Sequence, residues 1–187
     1  DVTFHICAGL AGGTGSGSFI DVVSEIRTLY PRREGNGPKY TIYLYLYIPE
    51  NGETKWDAGY YHANGYAALR ELNALSVGKL EPVDISGARD PKTGHIRRLK
   101  FSNGNVFNAA FVYSNSNGKR TAGEELNRIV ADFIYQIIFE TVGDEVIRTI
   151  SDENNGMGEE DKVRSRQFLS LGLSRLEYPE YEIKDYM

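Results

Sequence analysis

The sequence predicts an α/β domain in three layers, with helices on both faces of a parallel sheet. Strand-like and helix-like segments alternate three times along the chain, and such alternation favours right-handed crossovers between parallel strands. The strand predicted at residues 40–48 carries bulky side chains on both faces, as expected where a layer packs on each side. Residues 122–150 predict a long helix that is apolar around most of its circumference and is therefore buried between layers.

The other elements follow from the spacing of their apolar residues. Residues 3–10 form a short apolar run bounded by glycine, which is typical of a buried strand. Phe19, Val22 and Ile26 recur at three- and four-residue steps and predict a helix over residues 18–30. By the same reasoning we expect a helix at 58–75, a small hairpin within 77–104 around a turn at 90–94, a strand at 106–114, and the start of a further strand within 167–176.

Composition excludes some classes of protein. The chain has 187 residues and a formal net charge of −5, which argues against a nucleic-acid binder that relies on a broad basic surface. No apolar run approaches the length of a membrane span. The single cysteine, Cys7, lies in an apolar run and fits a reducing, cytoplasmic compartment. No spacing of His, Cys and acidic residues predicts a metal site or a catalytic triad.

The most informative segment is the glycine-rich turn between the first strand and the first helix. Four glycines in six residues permit positive φ angles and close approach of the backbone, and the free N–H groups at a helix start attract phosphate. Two hydroxyl groups in the turn are further potential donors. The predicted phosphate cradle consists of Gly12, Gly13, Thr14, Gly15, Ser16 and Gly17.

Other interpretations of this turn remain open. It is not a Walker A loop, because no lysine follows its last glycine. It is not a regular dinucleotide fingerprint either, because Ser18 stands where that pattern needs glycine. A tight turn without any ligand would show the same glycines. A dinucleotide-binding enzyme with an irregular loop is a further possibility, in which Glu50 would hold a ribose.

The turn resembles the signature phosphate loop of the tubulin/FtsZ superfamily, GGGTGSG, with Ala11 in place of the first glycine. The likeness extends to the large bacterial tubulin-like proteins in two further blocks, ANGYAALREL at residues 63–72 and FLSLGLSRLEYP at 168–179. The three blocks occur in the same order and span most of the chain. The resemblance implies the three-layer nucleotide-binding domain of that superfamily, with residues 122–150 as its long central helix.

The resemblance also implies a ligand and a set of site residues. GTP or GDP, with Mg²⁺, would lie on the cradle, and the loop at 49–57 would approach the ribose through Glu50, Glu53 or Asp57. Asn115 and Asn117 would read the guanine edge, to which an amide offers both a donor and an acceptor. Asn127 is a weaker candidate for that role, and the NSNG sequence at 115–118 would also suit a simple turn.

Hydrolysis in the superfamily needs two subunits, and the second subunit supplies an acid from the loop after the central helix. In this chain that loop is the acidic stretch 151–162, and Asp152 is the first candidate. We therefore expect a filament-forming GTP-binding protein, or else a non-hydrolysing nucleotide-sensing or scaffold domain. The expected division is a GTP-binding region at 1–150 and an acidic loop with the start of a following domain at 151–187. Because the chain enters a strand almost at once, we expect it to be part of a longer protein.

Overall fold

The structure, a computed structural model, describes residues 2–31, 40–48, 60–101, 106–115, 125–139 and 167–170. Strands and helices alternate through these ranges. They are β1 Val2–Gly9, α1 Gly13–Leu29, β2 Tyr40–Tyr47, α2 Tyr61–Ser76, β3 Ala109–Tyr113, α3 Glu125–Phe139 and β4 Phe168–Ser170. The strands form one parallel sheet in the order β1-β2-β3-β4, which confirms the predicted α/β class.

The two faces of β2 are buried against different layers. Ile42, Leu44 and Leu46 belong to the larger apolar cluster, together with side chains of α1 and α2. Tyr43 and Tyr45 lie on the opposite face in a smaller cluster with side chains of α3. Since successive side chains of a strand point to opposite faces, this alternation confirms the three layers predicted from the sequence.

Helix α3 is covered on one side only by the described residues. Phe133, Ile134 and Ile137 pack towards the sheet, where the Phe133 ring lies 5.2 Å from the ring of Phe111. Ile138 and Phe139 are 50% and 69% exposed. Within the described part of the chain, the helix is therefore buried on its sheet side and exposed on the other. The predicted ends of this helix lie outside the described residues.

β3 is shorter than predicted, and β4 lies where the start of a further strand was predicted. β3 begins at Ala109. Just before it, the Asn108 side chain accepts a hydrogen bond from the Ile42 N–H at 2.9 Å, and the Asn108 N–H donates to the Ile42 carbonyl at 2.8 Å. β4 has three residues and pairs with β3, with Ala110 opposite Phe168. A strand from the segment 151–187 thus joins the same sheet. The predicted boundary after residue 150 lies outside the described residues.

The segment between α2 and β3 folds back on itself as a small hairpin, as predicted. Antiparallel bridges join Val83 to Arg98 and Arg89 to Ile96. The turn at its tip is held by Asp90, whose carboxylate accepts hydrogen bonds from two backbone N–H groups of that turn. At its base, a hydrogen bond from Ser86 and an ion pair with Arg97 lower the pKa of Asp84.

Among the described residues, none of the helices combines the length and the apolar character that crossing a membrane requires.

Candidate functional site

The N-terminus of α1 is open to a ligand. The helix begins at Gly13, five residues earlier than predicted, and its N-cap residue is Gly12, which has no side chain to bond the free N–H groups. The first helical hydrogen bond runs from the Ser16 N–H to the Gly12 carbonyl at 3.2 Å. The N–H groups of residues 12–15 therefore have no partner within the helix, and they lie at the positive end of its dipole.

The glycines of this turn serve two different purposes. A Cβ atom on Gly15 would lie 2.1 Å from the Gly9 carbonyl oxygen, so glycine there lets α1 approach the end of β1. A Cβ atom on Gly12, Gly13 or Gly17 would meet nothing within 4 Å. The expected close approach is thus confirmed at Gly15, and the space around the other three is open.

The glycines of this turn do not use the positive φ angles that they permit. Gly12 has φ −93°, a value open to any residue, and the described glycines with positive φ lie elsewhere in the chain. The physical reason is that residues 13–17 already form the first turn and a half of an α-helix, where φ is negative. Neither backbone conformation nor contact with described residues requires glycine at positions 12 and 13.

The hydroxyl groups of the turn differ in whether they are hydrogen-bonded within the helix. Ser16 Oγ donates to the Gly12 carbonyl at 2.5 Å, so its proton is engaged within the helix. Ser18 Oγ donates to the Thr14 carbonyl at 2.6 Å. The Thr14 side chain is exposed beside the free N–H groups. Of the two hydroxyl donors predicted for the cradle, Thr14 is the one that faces solvent there.

A side chain from α2 holds the glycine turn from the other side. Asn64 Nδ2 donates to the Ala11 carbonyl at 2.9 Å. The next residue, Gly65, is buried, and a Cβ atom there would lie at ordinary contact distance, 3.9 Å, from the Leu10 carbonyl oxygen. The sequence alone assigned no role to Asn64 or Gly65. The available signal was their position in the ANGYAALREL block.

The carboxyl ends of the central strands lie beside this turn. The Leu10 N–H donates to the Tyr47 carbonyl at 2.9 Å, and the Ile48 N–H donates to the Tyr113 carbonyl at 2.9 Å. The ends of β1, β2 and β3 are thus tied side by side, and the helix α1 starts above the first of them. In open α/β sheets a ligand binds at such an edge.

Comparison with protein families matches residues 1–187 to the family described as "Tubulin like". The chain belongs to the tubulin-like family. The match covers the whole chain and confirms the family that the glycine turn and the two further sequence blocks indicated. No curated protein matches the chain.

In this tubulin-like chain, the candidates for reading a base are only partly described. Asn115 lies two residues after the end of β3 and is buried, with 2% of its surface exposed. Asn127 lies in the first turn of α3 and is exposed. Asn117 lies outside the described residues, as do Glu50, Glu53 and Asp57. The structure thus brings Asn115 to the strand edge that also carries the glycine turn.

The candidate catalytic acid of this tubulin-like chain, Asp152, lies outside the described residues together with the rest of the acidic stretch 151–162. Its role stays a prediction. Within the described part of the chain, no three His, Cys, Asp or Glu side chains converge as a metal site would require.

The titratable groups of β1 and β3 on the α3 side of the sheet are uncharged at neutral pH. Burial raises the pKa of the Cys7 thiol, and burial together with the neighbouring Cys7 and Tyr47 raises the pKa of Tyr113. Burial lowers the pKa of His5, whose Nδ1 lies 3.0 Å from the Tyr45 hydroxyl. This surface therefore offers rings and neutral polar groups rather than charge to a neighbouring ligand.

Proposed function

We propose that this tubulin-like chain binds GTP with its phosphates on the N-terminus of α1, and that it self-associates so that a neighbouring subunit completes a GTPase site. The observation that carries the proposal is the open space at Gly12 and Gly13. These glycines are required neither by the backbone nor by packing against described residues, and they border the four N–H groups of residues 12–15, which have no partner within the helix. A bound phosphate would occupy that space and accept those hydrogen bonds.

Two further features support this arrangement. Asn64 fixes the carbonyl of Ala11, which keeps the turn in place before a ligand arrives. Gly15 seats α1 directly against the end of β1, so the helix dipole points at the strand edge. A preformed site of this kind loses less conformational entropy on binding than a flexible loop would.

The residues present also fit Mg²⁺ bound together with the phosphates. Mg²⁺ takes oxygen ligands, mostly from phosphate and water, and the exposed Thr14 hydroxyl is the side-chain oxygen that the described turn offers. The bound ion would offset the negative charge of the phosphates.

Hydrolysis requires a water molecule held in line with the terminal phosphate. The backbone N–H groups of residues 12–15 would stabilise the charge on the phosphate oxygens, as preorganised donors do in phosphoryl transfer. In this proposal Asp152 of a second subunit orients the water. Self-association then controls the rate, because the cradle of one subunit is completed only by Asp152 of its neighbour.

The variant Gly13→Ala tests the binding proposal. Its methyl group meets none of the described residues within 4 Å but enters the space assigned to phosphate, so we expect unchanged stability and at least about a tenfold loss of GTP affinity. Isothermal titration calorimetry of both proteins with GTP, ATP and NAD measures this. If Gly13→Ala bound GTP with wild-type affinity, the proposed phosphate site would be wrong. A preference of the wild-type protein for NAD would favour a dinucleotide enzyme.

GTPase rates measured at several protein concentrations test the second half of the proposal. A rate per molecule that rises steeply with concentration supports a site shared between subunits. A flat or absent rate with intact GTP binding would show a nucleotide-sensing or scaffold domain instead.

A further inference from the structure

An aromatic pair stands at the carboxyl ends of the two central strands. Tyr47 ends β2 and Tyr113 ends β3, and the two residues lie opposite each other in the sheet register. Their ring centroids are 5.8 Å apart and the ring planes are inclined by 38°. Tyr43 and Tyr45 point the same way from β2 but are fully enclosed, whereas Tyr47 and Tyr113 are half-buried. The pair therefore exposes ring surface where the strands end.

The residue beside Tyr47 on the neighbouring strand is Gly9, which has no side chain. Gly9 pairs with Tyr47 in the register, and residues paired in this way point to the same face of a parallel sheet. Gly9 is exposed, and a Cβ atom on it would meet nothing within 4 Å. Within the described residues, an open floor at Gly9 thus borders the ring of Tyr47.

This floor is continuous with the glycine turn. The Gly9 carbonyl oxygen is the atom that Gly15 packs against, so the aromatic pair and the free N–H groups of α1 lie on either side of the same residue. From β1 to β3 there are two strand spacings, about 10 Å in all. A triphosphate that starts at α1 and runs across the strand ends reaches the aromatic pair with its sugar and base.

We propose that Tyr47 and Tyr113 form the wall that holds the nucleoside part of the bound nucleotide. The inference rests on the proposed function, since it needs the phosphates at α1. Aromatic rings stack on the face of any base, so the pair supplies affinity for a nucleoside without choosing between guanine and adenine. The site would therefore discriminate nucleoside triphosphates from inorganic polyphosphate.

Two ligands and three variants test this wall. Tyr47→Leu and Tyr113→Leu each remove one ring, and Tyr135→Leu removes an exposed ring of α3 as the matched control. We expect each of the first two variants to lose roughly tenfold or more in GTP affinity, in line with the value of one stacking contact. Inorganic tripolyphosphate should bind all four proteins equally, and Tyr135→Leu should bind GTP like wild type.

The outcomes separate the inference from the function on which it rests. Unchanged GTP affinity in both variants, with GTP still bound by wild type, overturns the wall and leaves the phosphate site standing. An equal loss of GTP and tripolyphosphate affinity also overturns it, because the rings would then act on the cradle alone. If wild type binds neither ligand, the proposed function fails and the wall fails with it.

A measurement on the wild-type protein avoids any variant that folds poorly. Nuclear Overhauser contacts between the base and ribose protons of GTP and selectively labelled tyrosine rings should appear on binding. Tyr47→Phe and Tyr113→Phe keep the ring and should keep GTP affinity. An absence of ring contacts in the saturated complex would overturn the proposal.

Discussion

The carbonyl oxygen of Gly9 determines which side chain residue 15 tolerates. A Cβ atom at position 15 would lie 2.1 Å from that oxygen, closer than any stable contact, so α1 or β1 would have to move. We expect Gly15→Ala to lower the free energy of unfolding by about 1–3 kcal/mol, the usual effect of overpacking. Urea unfolding followed by circular dichroism measures the change.

Gly17→Ala is the matched control for that prediction. Gly17 belongs to the same helix, but a Cβ atom there meets nothing within 4 Å. Alanine is favoured over glycine within a helix by up to about 1 kcal/mol, so Gly17→Ala should be neutral or stabilising. If both variants shifted stability in the same direction and by the same amount, the contact between α1 and β1 would not be what selects glycine at position 15.

At this scale the phosphate chemistry of the turn stays a prediction, and the predicted start of the helix is wrong. A glycine run between a strand and a helix indicated a phosphate cradle, and the free N–H groups lie there. The helix start was placed at Ser18, because apolar periodicity begins only at Phe19. The helix in fact starts at Gly13, so Ser16 and Gly17 use their N–H groups within it. A periodicity of side chains carries no information about glycines that precede it.

At the scale of elements, α2 acts on the glycine turn through one hydrogen bond. Asn64→Ala removes the 2.9 Å bond to the Ala11 carbonyl and should lower the free energy of unfolding by about 1 kcal/mol. GTP affinity should fall as well, since binding must then order the turn. Calorimetry and urea unfolding measure the two effects separately.

Asn73→Ala provides the comparison for Asn64→Ala, because Asn73 lies on the same helix with its side chain exposed. It carries the same change in helix propensity without touching the turn. Equal GTP affinity in the two variants would contradict a positioning role for Asn64.

The helices and strands were largely predictable from the sequence, but the hydrogen bonds that connect one element to another were not. Alternating apolar residues identified β2 to within one residue, and the turn at 90–94 identified the hairpin. The bond from the Ile42 N–H to the Asn108 side chain, just before β3, joins segments 66 residues apart. The role of Asn64 depends likewise on a contact between segments 53 residues apart. Such contacts leave no periodic pattern in the sequence.

For the whole molecule, the alternation of elements predicted the parallel sheet and the layers on both faces. It did not predict that α3 keeps one face exposed, since an apolar pattern around a helix shows what the helix tolerates but not which neighbours are present. Asn115 lies at the predicted edge of the sheet. The parts of the site assigned to Asn117 and Asp152 stay predictions.

The two layers should differ in stability, because the larger apolar cluster lies on the α1 and α2 side of the sheet. Leu72 of α2 is fully buried there, and Leu72→Ala should cost about 2–5 kcal/mol. Ile137 of α3 borders the smaller cluster, and its helix exposes the opposite face. Ile137→Ala should therefore cost less than half as much, because the surroundings of a site near the surface relax more easily into the space left behind.

Hydrogen exchange monitored by mass spectrometry checks the same difference without substitution. Backbone amides of α3 should exchange faster than those of α2, since regions with fewer buried apolar contacts open at lower free energy. Equal protection of the two helices, or a larger cost for Ile137→Ala than for Leu72→Ala, would contradict the ranking of the layers.

The ranking also bears on function, because the glycine turn and Asn64 belong to the more stable layer while the aromatic pair faces the less stable one. The phosphate contacts would then be rigid before binding, and the surroundings of the nucleoside would adjust to it.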